Sequence, residues 1–108
     1  MSLNSDESQI HVPPSFVALY SDARRQRLNA PIATVRERHE LCEDLAQALT
    51  DTARAQSHGG TVSDEEVLAR CHAALRQADS GLSEAEAGWV IARLAELLDW
   101  PIPGVPAP

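Results

Sequence analysis

Apolar residues recur with a helical period over three long stretches of the chain, and each stretch opens on the same polar signal. Thr34 with Glu37, Ser63 with Glu66 and Ser83 with Glu86 all have the spacing of a capping box. In that motif the hydroxyl accepts a backbone N–H while the carboxylate reaches back to the N–H of the cap residue. The first box predicts a helix over residues 34–56 with Cys42, Leu45, Leu49 and Ala53 on one face, ended by His58, Gly59 and Gly60. The second predicts a helix whose apolar stripe is Val67, Leu68, Cys71, Leu75 and Ala78. Val62 and Val67 sit at the spacing of a hydrophobic staple there, and Gly81 is placed to terminate the segment. The third predicts a helix to about Leu98 with Ala87, Val90, Ile91, Leu94 and Leu98 on its main face.

Pro101, Pro103, Pro106 and Pro108 forbid further helix and leave an extended tail. At the other end, Pro13 and Pro14 hold the backbone extended, and Pro14 suits the first position of a short helix carrying Phe16, Val17, Leu19 and Tyr20. Residues 24–31 read as a linker. Nothing alternates with period two over a useful length, and no segment repeats. The expectation is an all-α bundle of three main helices plus a short N-terminal helix. Its organisation is a flexible N-terminus at 1–12, one helical domain at 13–100 and a proline-rich tail at 101–108.

Composition sharpens this picture. Hydrophobic residues make up 44% of the 108, enough for a core, but Phe16, Tyr20, Trp89 and Trp100 are the only aromatics. A thin core of Leu, Ala and Val favours self-association, most simply a two-fold dimer. The net charge of −7 works against general attraction to DNA, RNA or anionic lipid. Residues 1–33 balance three acids against Arg24, Arg25 and Arg27, so the excess acid lies in the later helices. Lysine is absent, which removes Schiff-base chemistry and the lysine of a phosphate-binding loop. No stretch is apolar enough to span a membrane, and the polar N-terminus does not read as a signal peptide. Two cysteines are too few for a secreted disulfide scaffold, so a cytoplasmic protein is expected.

Chemistry-bearing residues are sparse. His39 with Cys42, and Cys71 with His72, are the one metal-like constellation. Adjacent residues point about a quarter-turn apart on a helix, and Cys71 falls in an apolar stripe, so buried thiols without metal are the expectation. Neither a nucleophile elbow, HExxH nor a dinucleotide fingerprint is present. The acids Asp64, Glu65 and Glu66 are accounted for by a helix N-terminus, and Glu43 with Asp44 by a solvated face. No enzyme and no cofactor are expected. Arg24, Arg25, Arg27, Arg36 and Arg38 form a basic cluster that would suit an acidic partner, a nucleotide or RNA. The plainer account is pairing with the chain's own acids or solvation.

At roughly 100° per residue, Trp89, Arg93, Glu96 and Trp100 fall on one stripe opposite the main apolar face of the third helix. Either that helix is central and the stripe a second core face, or the stripe meets a partner as an anchor of aromatic and arginine residues.

Pro13 to Tyr20, Glu40 to Ala46, and Ser80 to Ser83 continuing through Trp89 to Trp100 resemble a family of short helical proteobacterial proteins often labelled "ATPase with chaperone activity". The likeness covers most of residues 9–100. It implies an association with chaperone or protease machinery. The ATPase activity is not carried over, because the chain has neither G-x-x-x-x-G-K-[ST] nor any lysine. The expected function is a non-catalytic protein-interaction or adaptor module with a protein partner. The alternative is a regulator binding nucleic acid or nucleotide through the arginines of residues 24–38.

Overall fold

In a computed structural model the described residues are 12–22, 27–77 and 80–102, with only the backbone of Asp22 and Arg27. Residues 1–11 of the expected flexible N-terminus at 1–12, Arg24, Arg25, Ala78 and the tail from 103 onward lie outside them. The fold is all-α. Four helices order the described chain: α1 at Pro14–Val17, α2 at Ile32–His58, α3 at Asp64–Gln77 and α4 at Glu84–Leu98. A 3₁₀ turn, Ala18–Tyr20, extends α1. Among the described residues no helix is long and apolar enough to cross a membrane. The chain divides into two compact units, Met1–Leu41 and Cys42–Pro108, with the boundary inside α2.

In the first unit, the Pro13 carbonyl accepts the N–H groups of Phe16 and Val17 at 2.9 and 3.0 Å, which starts α1 on a proline as the sequence suggests. Ser21 Oγ then donates to the Val17 carbonyl at 2.7 Å. The expected linker is partly ordered: β1, Ser21–Asp22, pairs antiparallel with β2, Arg27–Leu28, in the register Ser21 to Leu28 and Asp22 to Arg27. Two residues per strand are too few to show an alternating pattern, so the sequence carries no sign of this ladder. Phe16 is fully buried, with the Tyr20 ring at 5.7 Å and the His39 ring edge-on at 5.4 Å. Val35 is buried as well.

Helix α2 corrects one expectation. It begins at Ile32, so Thr34 lies within the first turn and cannot cap it. The reason is Pro31, whose carbonyl accepts the Val35 N–H at 3.1 Å and opens the helix two residues early. The other end follows expectation: α2 stops at His58, and Gly60 turns the chain at φ +76° while donating to the Ser57 carbonyl.

The second unit is built on a cluster of Ala53 from α2, Val67, Leu68 and Cys71 from α3, and Ile91, Leu94 and Ala95 from α4. Leu49, Val62, Leu75, Leu98, Trp100 and Ile102 close around it. The α3 box forms by half: Ser63 Oγ accepts the Glu66 N–H at 3.1 Å, while the Glu66 carboxylate turns to Arg70 at 3.3 Å. The α4 box is complete, with Ser83 Oγ accepting from Glu86 N–H at 3.0 Å and Glu86 accepting from Ser83 N–H at 2.9 Å. That second bond, beside the positive end of the helix dipole, helps explain how Glu86 tolerates an exposure of only 2%. A cap of this kind is worth about 1 kcal/mol. Gly81, at φ +78°, supplies the left-handed turn that lets Ser83 reach its place.

Helix α4 buries more than one side: Ala87, Trp89, Val90, Ile91, Leu94 and Ala95 are all inaccessible or nearly so. It ends on Asp99, a non-glycine residue in the left-handed conformation. The N–H groups of Asp99 and Trp100 return to the carbonyls of Glu96 and Ala95 at 3.1 and 2.8 Å, a Schellman-type stop. The chain then folds Trp100 back on the core cluster.

Candidate functional site

The four residues of the expected partner stripe do not form one open surface. Trp89 is only 9% exposed and counts among the core side chains. Trp100 lies beyond the helix end, so the helical projection that aligned it with Trp89 does not apply; it packs against the cluster of Ile91, Leu94 and Ala95. Arg93, Glu96 and part of Trp100 reach the surface. Arg93 is committed within the chain: Nε and one terminal nitrogen donate to both oxygens of Glu43 at 2.9 and 3.1 Å, and the other nitrogen donates to Glu96 at 3.1 Å. The hydrogen bond to Glu43 is the main influence raising the guanidinium pKa further, outweighing partial desolvation. A two-pronged arginine–carboxylate pair fixes orientation as well as distance, so Arg93 ties α4 to α2 across fifty positions of sequence. The stripe is therefore buried at Trp89, half-buried at Trp100 and clamped by the Arg93 ion pairs between them.

The metal-like residues are placed separately. Cys71 belongs to the core cluster, and Cys42 is fully buried; both are free thiols. His39 packs its ring against Phe16, and His72 is half-buried on α3. Among the described residues, no three His, Cys, Asp or Glu side chains come together as ligands would.

Burial raises the Cys71 thiol above its ordinary value of 9.0. The folded chain then keeps its proton while the unfolded chain loses it, so stability falls as pH rises through the ordinary thiol range. Denaturant titrations should show this alkaline loss in the wild type and a shallower one in Cys71→Ala. Identical slopes in the two proteins would contradict the assignment. Both thiols should also react slowly with a thiol reagent until the chain unfolds.

Of the basic cluster, side chains are described only for Arg36 and Arg38. Arg36 and Arg38 are two positions apart on α2 and so point to different flanks of the helix. Arg27 is a strand residue, while Arg24 and Arg25 lie outside the described residues.

A cleft of about 400 Å³ opens where α3 ends and α4 begins, lined by Leu75, Arg76, Leu82, Ser83, Glu84 and their neighbours. Its polar groups are largely spent: Arg76 pairs with Glu84 at 3.2 Å and Ser83 caps α4. The acids Glu84 and Glu86 in the first turn of α4 also oppose an anion there.

The feature that sequence reading passed over lies elsewhere. The large hydrophobic side chains standing exposed among the described residues are Leu28 at 37%, Ile32 at 46% and Leu41 at 37%, all within the Met1–Leu41 unit. Leu28, Asn29, Pro31, Ile32 and Ala33 are exposed in one nearly continuous run, and no charged residue occurs between Leu28 and Val35. The signal was present as an uncharged stretch in a chain that is 23% charged, but it fell in what read as a linker.

No protein-family model, curated protein or solved structure matches the chain.

Proposed function

We propose that the protein is a non-catalytic protein-interaction module whose contact surface is the exposed apolar run at residues 28–33. The observation that carries this reading is the concentration of exposed large apolar side chains in the Met1–Leu41 unit. Leucine and isoleucine in a charge-free surface run gain free energy when a partner removes them from water, and grouped exposed apolar residues mark contact sites. Buried Trp89, half-buried Trp100 and the committed Arg93 argue against that role for the α4 stripe. The family resemblance implies an association with chaperone or protease machinery as well. Two free cysteines suit a reducing compartment, and we place the module in the cytoplasm.

A photoreactive residue at position 32, expressed in the native host, should give discrete adducts that disappear when Leu28→Asp is added. The same residue at Ala69, exposed on α3, should give none of them. Matching adduct patterns from positions 32 and 69 would defeat the proposal.

A further inference from the structure

The charge of the chain is divided in the same place as its fold. Residues 1–41 hold five acids and five arginines and are neutral, whereas residues 42–108 hold eleven acids and four arginines, the whole of the −7. Two copies meeting through Cys42–Pro108 would bring like charge to like. Two copies meeting through Met1–Leu41 would not, and that unit is where the apolar side chains stand uncovered.

The first turns of α2 carry the complement. Ile32, Arg36 and Glu40 follow one another at i, i+4 and i+8 and so share a stripe of the helix. Ile32 and Glu40 are exposed and Arg36 is half-exposed. Neither Arg36 nor Glu40 forms an ion pair with any of the described residues. The order explains it, since arginine ahead of glutamate is the weaker arrangement for pairing along a helix. One stripe thus presents an apolar anchor, a free cation and a free anion. A two-fold axis makes such a surface complementary to itself, because residue i of one copy meets residue j of the other, and j meets i.

We propose that the partner covering residues 28–33 is a second copy of this chain. Arg36 of each copy pairs with Glu40 of the other, and in that antiparallel register Leu28 and Ile32 are covered at the edges of the interface, Ile32 over the turn of the other copy's α2 that carries Asp44 and Ala48. This rests on the interaction-module reading and names its occupant.

Charge reversal tests it, read as mass by light scattering across the micromolar range. Wild-type protein should rise from 11.7 kDa toward twice that mass with concentration. Arg36→Glu and Glu40→Arg should each remain at 11.7 kDa, since each places like charges across the axis. An equal mixture of the two variants should regain the higher mass, because every crossed pair is again opposite in sign. The double variant Arg36→Glu, Glu40→Arg should regain it alone. Rescue of this kind cannot come from a folding defect in either parent.

Wild type fixed at 11.7 kDa, single variants that associate as well as wild type, or failure of both rescues would overturn the pairing. Should wild type stay monomeric while Leu28-dependent adducts form at position 32 in the host, the copy is the wrong occupant and the interaction reading survives. Absence of both removes both.

Discussion

Trp89→Ala should lower the unfolding free energy by about 3–5 kcal/mol, the range for deleting a buried tryptophan, and leave a marginal domain largely unfolded. The indole is 9% exposed on a helix that buries more than one side, so its loss removes both transfer free energy and packing contacts. An interface tryptophan would behave differently, leaving the single chain almost as stable while weakening association. Chemical denaturation of Trp89→Ala in a Trp100→Phe background, compared with that background alone, separates the two. The Trp89 emission of the background protein should be that of a shielded indole. A loss below about 1 kcal/mol with solvent-like emission would return Trp89 to the surface.

Phe16→Ala should cost about as much, 3–5 kcal/mol by the same rule, although it sits in the other unit. Phe16 is the largest fully buried side chain of the chain's described residues, and its ring contacts reach Tyr20 and His39. Aromatic pairs in tilted or edge-on geometry contribute beyond the area they bury. Among the described residues of the Met1–Leu41 unit, Val35 is the other large buried side chain, so alanine leaves little there to collapse into the space. Amide exchange over residues 14–20 and 32–38 should accelerate in this variant before any change in denaturation midpoint is complete. Exchange unchanged in both stretches would show that Phe16 does not hold the unit together.

The long helices were legible because their signals are local. Ser63 and Ser83 cap where the spacing to Glu66 and Glu86 said they would, and Gly60 takes the left-handed turn that ends α2. Cys71 lies in the core because an apolar stripe is a statement about one helix face. What failed depended on features outside the pattern being read. Thr34 had the right partner at the right distance, yet Pro31 upstream opened the helix first. Trp100 was projected along a helix that stops at Asp99. The bond between Arg93 and Glu43 joins residues fifty apart, and no periodicity reports on such a pair. The candidate surface was hidden for the opposite reason: residues 28–33 look like an ordinary connection, and only the folded chain shows which connecting residues stay uncovered.

Amide exchange at low and high protein concentration reads directly whether that run is covered by another copy. Protection at Leu28, Asn29, Ala30, Ile32 and Ala33 should rise with concentration, while the exposed α3 residues Ala69 and Arg70 keep the same exchange rates throughout. Exchange over residues 28–33 that does not depend on concentration, in protein that remains folded, would contradict coverage by another copy.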